Sequence, residues 1–85
     1  MKTVRYTVLE EAGLHARTAG LLISEAGKYG ARITLEAGGK TVLAGDIPAV
    51  MRLEVKKGDL LVLRAQGADE EEALEALEKI LRENL

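Results

Sequence analysis

The chain has no cysteine, tryptophan or phenylalanine, and only one histidine and one proline among its 85 residues. Without cysteine it has neither a disulfide framework nor a thiolate nucleophile, and one histidine is too few for the usual zinc sites of Cys and His. Since Tyr6 and Tyr29 are the only aromatic residues, the core has to be built from Leu, Val, Ile and Ala. We therefore expect a small aliphatic fold without a metal or a cofactor.

A clustered basic surface and a membrane-spanning segment are absent as well. The formal net charge of -2 disfavours binding to nucleic acid or anionic lipid, because both attract clustered positive charge. No apolar run approaches the ~20 residues that a helix needs to cross a bilayer, and no apolar signal segment precedes the first strand pattern. These features predict a cytoplasmic protein with no nucleic-acid partner and no direct membrane insertion. The length predicts a single domain over residues 1–85.

Apolar periodicity predicts four strands and three helices in the order βαββαβα. In the first strand, for example, Val4, Tyr6 and Val8 alternate with Arg5 and Thr7. The predicted segments are strand residues 3–9, helix residues 16–28, strands over 31–37 and 40–43, a short helix from 47, a strand over 60–65 and a helix after 69. In the fourth strand, periodicity does not determine which residues point towards the core. Helices with one apolar stripe must cover strands with one apolar face, which predicts a two-layer α+β domain.

Three local signals mark the ends of these elements. The pair Gly38-Gly39 predicts a hairpin turn between the second and third strands. Asp46 is a good N-cap for the short helix that follows it. Asp69, with Glu72 three residues later, predicts a capping box at the start of the last helix.

The segment Gly13-Leu14-His15-Ala16-Arg17 places the only histidine at the start of the first predicted helix. Free N–H groups and the positive end of the helix dipole favour an anion there and disfavour an imidazolium, so His15 should be neutral and nucleophilic. If the ring accepts a phosphoryl group, Arg17 can add bidentate hydrogen bonds to its oxygens. The alternative is structural: such a histidine is often a turn or cap residue, and such an arginine a solvated charge.

The two faces of the first helix differ in polarity. The helical wheel puts the core-facing stripe at Ala19, Leu22, Ile23 and Ala26, and the opposite face at Arg17, Leu21, Ser24 and Lys28. Leu21 would then be exposed beside Arg17, and Gly20 would let another backbone come close. This predicts a protein-docking face next to His15. The alternative is that Leu21 is one of the scattered apolar residues of any surface and that the glycines relieve packing against the sheet.

The motif Gly13-Leu14-His15-Ala16-Arg17 resembles that of the HPr phosphocarrier family of the bacterial phosphoenolpyruvate-dependent sugar phosphotransferase system. The resemblance runs over essentially the whole chain. It is supported by the Asn-or-Gly-type hairpin turn before Gly39-Lys40, by Val50-Met51 and Leu53, and by Gly67-Ala68-Asp69-Glu70 before the last helix. It implies an open-faced β-sandwich, in which three helices cover one side of a four-stranded antiparallel sheet.

The resemblance also implies a mechanism. Enzyme I, charged by phosphoenolpyruvate, would donate a phosphoryl group to Nδ1 of His15, and the enzyme IIA domain of a sugar transporter would collect it. Arg17 and the amides of Ala16 and Arg17 would hold the phosphoryl oxygens. The implied partner-docking surface consists of Thr18, Gly20, Leu21, Ser24, Gly27, Ile47, Pro48 and Met51. The chain would be a covalent carrier and not an independent enzyme, and we expect a monomer.

Three positions depart from the family pattern. Thr18 stands where members usually have a proline, which puts in question how firmly the helix start is held. Asp46 stands where many members carry a serine that a regulatory kinase phosphorylates. It cannot accept that phosphate, and we favour an N-cap role over a built-in phosphoserine mimic. Glu54, with Arg52 nearby, replaces a small residue beside the docking surface and could repel some partners.

Two other functions stay open from the sequence. A regulatory module on the same fold would dock a transcription factor without carrying phosphate, although relatives of that kind tend to lack the histidine. An unrelated α+β domain could instead bind a small anion at its first helix without any protein partner. The acceptor of a carrier also stays open among a sugar transporter, a dihydroxyacetone-kinase-type protein and a regulatory branch.

Overall fold

The computed structural model describes all 85 residues and contains four strands and three helices. In chain order the elements are β1 (Lys2–Thr7), α1 (Ala16–Ala26), β2 (Arg32–Ala37), β3 (Lys40–Leu43), α2 (Ile47–Arg52), β4 (Leu60–Gln66) and α3 (Glu70–Asn84). This is the predicted βαββαβα order, and the predicted fold class is confirmed. None of the helices is long and apolar enough to cross a membrane.

The strands form one antiparallel sheet in the order β1-β4-β2-β3. Its register aligns apolar residues in a row across the sheet: Val4 lies opposite Leu63, Leu63 opposite Leu35, and Leu35 opposite Val42. Because side chains alternate along a strand, this row belongs to one face. The helices cover that face and leave the other face open.

The core between the sheet and the helices is aliphatic, as predicted. Its 20 buried residues are all Leu, Val, Ile or Ala, while Tyr6 and Tyr29 are half-buried at its margin. In β4, Leu61 and Leu63 are fully buried and Val62, on the opposite face, is only 7% exposed. Val62 is buried although no helix covers its face, because β4 lies between β1 and β2 and its neighbours there are Arg5 and Glu36. This explains why periodicity did not identify its inward face.

Two of the predicted local signals are confirmed. Gly38 and Gly39 form the turn between β2 and β3 with φ angles of 57° and 80°, the left-handed pair that a tight hairpin requires. The carboxylate of Asp46 accepts a hydrogen bond from the Ala49 amide at 3.1 Å, so Asp46 is the N-cap of α2.

The predicted capping box at the start of α3 is wrong. Asp69 precedes the helix but makes no side-chain cap bond to it. Its carboxylate accepts hydrogen bonds from the amides of Gly30 and Ala31, at 2.8 and 2.9 Å. Glu70 turns back instead and accepts from the Gly67 amide at 3.0 Å. The Asp69 carboxylate therefore binds the two amides between α1 and β2 and not the free amides in the first turn of α3.

Two predicted boundaries differ from the structure by two residues. β1 ends at Thr7 and not at Leu9, because the amides of Leu9 and Glu10 turn to the carbonyl oxygen of Leu85 at the end of α3. α1 ends at Ala26 and not at Lys28, and Gly27 is its C-cap. The first change brings the loop before α1 against Leu85, the C-cap of α3.

Candidate functional site

The loop before α1 is held against the segment that follows α2. The Leu14 side chain is buried and its amide donates to the Val55 carbonyl at 3.0 Å. Gly13 has a φ of 66°, and a Cβ on it would overlap the Val55 carbonyl oxygen. These contacts fix the backbone immediately before His15, and they therefore fix the point from which its side chain extends.

His15 is the N-cap residue of α1. Its backbone is extended, with φ of -105° and ψ of 176°, and its carbonyl accepts the Ala19 amide at 2.9 Å. Its side chain makes no cap bond to the helix. The amides of Ala16, Arg17 and Thr18 consequently have no acceptor within the protein. Free donors at a helix start form a region that favours negative charge.

Arg17 adds a cation to this region. Its side chain is exposed and has no ion-pair partner among the acidic residues, whereas five of the other eleven lysine and arginine side chains do. A guanidinium without a carboxylate beside it can give its N–H groups to an external anion. His15, the Ala16 and Arg17 amides and the Arg17 side chain thus lie within three consecutive residues, as the sequence predicted.

Thr18 is placed differently from the prediction. Its side chain is fully buried, so it cannot form part of an exposed docking surface. Its Oγ1 lies 3.3 Å from Nε2 of His15, within hydrogen-bond distance. The sequence contained a signal for this contact, because N-cap and third helical residues bring their side chains together. The role of Thr18 at the site is to contact the ring.

The other predicted docking residues are at least partly exposed. They lie on two helices that contact each other: Gly20, Leu21, Ser24 and Gly27 on α1, and Ile47, Pro48 and Met51 on α2. Leu21 is 41% exposed and Ile47 is 48% exposed, whereas Met51 packs partly against the core. Beside Gly20 there is open space, since a Cβ there would meet no atom within 4 Å. Two exposed apolar side chains and an accessible stretch of helix backbone therefore lie on α1 and on α2 beside it.

The sequence did not indicate one further contributor to the site. Val55 supplies the carbonyl that holds the Leu14 amide, and nothing in its local sequence marks it for that role. Glu54, next to it, has a φ of 51°, the only non-glycine residue with a positive φ. No group of three or more His, Asp and Glu side chains is placed to hold a metal ion.

The chain is similar to known proteins over nearly its full length. The family model described as "PTS HPr component phosphorylation site" matches residues 2–83. HPr of Thermoanaerobacter tengcongensis superposes with a TM-score of 0.90 at 39% identity, covering 96% of this chain and 92% of that one. Phosphocarrier protein HPr of Bacillus anthracis str. Ames gives 0.86 at 39% identity, covering 94% and 95%.

A regulatory relative is similar as well. The catabolite repression protein Crh of Bacillus subtilis, whose crystal structure is a dimer with a swapped domain, gives a TM-score of 0.76 at 39% identity. The match covers 100% of this chain and 98% of Crh. The HPr proteins and Crh therefore match this chain at the same identity, 39%.

Proposed function

Because the chain belongs to the HPr family of the phosphotransferase system, we propose that it accepts a phosphoryl group on His15 from phosphorylated enzyme I and donates it to enzyme IIA domains of sugar transporters. The observation that carries this proposal is the position of His15 as the N-cap of α1, beside amides that have no acceptor. A histidine that only capped the helix would itself satisfy one of those amides.

In the proposed transfer the lone pair of Nδ1 attacks phosphorus. The bond from phosphorus to the donor atom of enzyme I breaks, and its electron pair stays with that donor. About two negative charges then lie at the start of α1. The free amides of Ala16 and Arg17 and the Arg17 guanidinium stabilise them as hydrogen-bond donors. Transfer to enzyme IIA is the same displacement with phosphorus leaving Nδ1.

The partner proteins would bind to the docking surface on α1 and α2. The docking surface, redefined as Gly20, Leu21, Ser24, Gly27, Ile47, Pro48 and Met51, would bind enzyme I and enzyme IIA in turn. Its exposed apolar residues are Leu21 on α1 and Ile47 on α2, which contacts α1, so we expect a bound partner to reach His15 at the start of α1. We also propose that residues 1–85 act as one domain, as a monomer, in the cytoplasm.

The first experiment measures the intact mass of the protein after incubation with phosphoenolpyruvate, magnesium and the cognate enzyme I. We expect a gain of one phosphoryl group that is labile to acid and absent in His15→Ala. Arg17→Ala should slow the gain but leave the position of labelling unchanged. No gain in the wild-type protein would overturn the proposal and favour the regulatory function.

Docking is tested with a matched pair of surface variants. Leu21→Asp puts a carboxylate on the docking surface, and transfer from enzyme I should slow by about tenfold or more, as for loss of an interface anchor. Leu60→Asp is the control, because Leu60 is similarly exposed, at 48%, on the open face of the sheet. Equal effects of both variants on transfer would contradict the proposed surface.

A regulatory binding module is the second candidate, and the similarity to Crh is the observation that favours it. The two functions differ in their dependence on the ring. A regulatory complex that forms equally well with His15→Ala, in a protein that enzyme I does not label, would support the module. Labelling that precedes any such complex would support the carrier.

A further inference from the structure

Thr18 carries the only fully buried polar side chain of the protein. Burying a hydroxyl without a hydrogen bond is costly, so such groups almost always have a partner. The side-chain partner of Thr18 is Nε2 of His15, at 3.3 Å. No carboxylate, amide or second hydroxyl side chain competes for this hydroxyl. The contact therefore joins a buried, fixed group to a half-buried, reactive ring.

We infer that Thr18 is a positioning residue, whose hydroxyl holds Nε2 of His15 so that Nδ1 is the ring nitrogen that reacts with phosphorus. The inference rests on the proposed function and deepens it. An imidazole has two nitrogens, and either one can attack when it carries the lone pair. The Thr18 hydroxyl lies against Nε2, whereas Nδ1 has no hydrogen-bond partner within the protein and keeps its lone pair for an incoming phosphorus atom.

The same contact accommodates the tautomer that reacts at Nδ1. In a neutral imidazole one nitrogen carries the proton and the other carries the lone pair. When Thr18 Oγ1 accepts the Nε2–H, the lone pair is on Nδ1. Attack then forms the Nδ1–P bond, breaks the bond from phosphorus to its donor, and leaves the proton on Nε2. The positive charge that the ring gains is balanced by the phosphoryl oxygens and is shared with the Thr18 hydroxyl.

A hydroxyl suits this position throughout the cycle. It accepts from Nε2 while that nitrogen is protonated, and it rotates to donate when Nε2 loses its proton after phosphorylation. The ring therefore keeps one orientation in the free and phosphorylated protein. A valine of the same shape can do neither, whereas a serine can do both.

Ring-nitrogen NMR of 15N-labelled protein tests the inference directly, because a protonated and an unprotonated imidazole nitrogen resonate far apart. At a pH where the ring is neutral, we expect wild type and Thr18→Ser to carry the proton on Nε2 and Thr18→Val to show a mixture. Thr41→Val, at an exposed threonine of β3, is the matched control and should resemble wild type. A proton predominantly on Nδ1 in the wild-type protein would overturn the inference, even if Thr18→Val failed to fold.

Reactivity gives a second readout that does not need a partner protein. Potassium phosphoramidate transfers a phosphoryl group to histidine as its P–N bond breaks and ammonia leaves. Wild type and Thr18→Ser should react at Nδ1, and Thr18→Val should give both isomers and react about fivefold more slowly at Nδ1, in line with one lost hydrogen bond. Identical isomers and rates in wild type and Thr18→Val would contradict a positioning role.

The two proposals fail separately. If phosphoramidate labels Nδ1 with the expected dependence on Thr18 while enzyme I transfers nothing, the positioning role stands and the proposed carrier function falls. If enzyme I labels His15 at the same rate and the same nitrogen with and without the Thr18 hydroxyl, the carrier function stands and the positioning role falls.

Discussion

Gly13 and Val55 are in backbone contact although they are 42 positions apart in the chain. Gly13 lies in the loop before His15, and Val55 lies in the segment after α2. The absence of a side chain on Gly13 allows the approach, and the neighbouring Leu14 amide uses it to reach the Val55 carbonyl at 3.0 Å. The reactive loop is thus supported from outside its own helix.

Replacing Gly13 by alanine should destabilise the fold and displace His15. The φ of 66° costs an L-residue about 1–2 kcal/mol, and the new Cβ would also overlap the Val55 carbonyl and come within 2.9 Å of Lys56 Cα. We expect a loss of about 2 kcal/mol or more, measured by denaturant unfolding. Gly20→Ala is the control: its Cβ meets open space within α1, so it should stabilise by up to about 1 kcal/mol. A neutral Gly13→Ala would contradict the described contact.

Glu54 lies on the other side of the contact and is strained. It is the one non-glycine residue with a positive φ, 51°. Glu54→Gly should stabilise the protein by about 0.5–1 kcal/mol, because relief of the left-handed strain exceeds the added entropy of the unfolded chain. Glu54→Gln removes the charge and keeps the strain, so it should leave stability nearly unchanged. If transfer to an acceptor rises equally in both variants, the charge of Glu54 repels that partner; a rise in neither contradicts such repulsion.

Asp69 joins the loop between α1 and β2 to the start of α3. Its two carboxylate oxygens accept the Gly30 and Ala31 amides, at 2.8 and 2.9 Å. Asp69→Asn replaces one acceptor oxygen by a donor and should cost about 1–3 kcal/mol of unfolding free energy, because one amide loses its partner. Glu71→Gln, at a residue whose side chain is 74% exposed in the same region, is the control and should be neutral. An equal loss in both variants would mean that the general charge of the region matters and not these bonds.

Glu70 makes stability depend on pH. Its pKa is lowered from the ordinary 4.5, first by the hydrogen bond from the Gly67 amide and then by the amino group of Met1, which lies 3.0 Å from Oε2. A lowered folded-state pKa contributes stability above pH 4.5, and this contribution is lost as the pH falls through the folded-state value. Glu70→Gln should therefore be less stable than wild type at neutral pH and equal to it in acid. A difference that is constant across denaturation curves at both pH values would contradict this linkage.

Asp46 should block regulatory phosphorylation at its position. A carboxylate cannot accept a phosphate from a kinase, and this one already caps α2 through the Ala49 amide. Incubation with an HPr-directed serine kinase and ATP should leave the wild-type protein unlabelled at Asp46. Asp46→Ser is the positive control, because serine keeps the cap and supplies a hydroxyl. Phosphate on wild-type Asp46 would refute the prediction, and Asp46→Ala should cost about 1 kcal/mol of stability.

Most of the fold followed from local pattern. The order of the seven elements, the Gly38-Gly39 turn and the Asp46 cap depend on residues close together in the chain, where periodicity and backbone preference act directly. The position of His15 beside the amides of Ala16 and Arg17 was predictable for the same reason. The predicted capping box at Asp69 was wrong although Asp is a residue type that caps helices. The Asp69 carboxylate accepts two hydrogen bonds from the distant Gly30 and Ala31 amides, where a cap would have given it one.

The sequence by itself determined the aliphatic core, the βαββαβα order and the placement of one histidine and one arginine at a helix start. Only the tertiary structure decided that Thr18 is buried against the ring and not exposed to partners, since exposure depends on what packs over a helix. It also decided that Val55 holds the Leu14 amide and that Asp69 reaches Gly30, 39 residues away. Such contacts join segments that are far apart in the chain, and a local sequence pattern does not specify which distant backbone group will pack against a given residue.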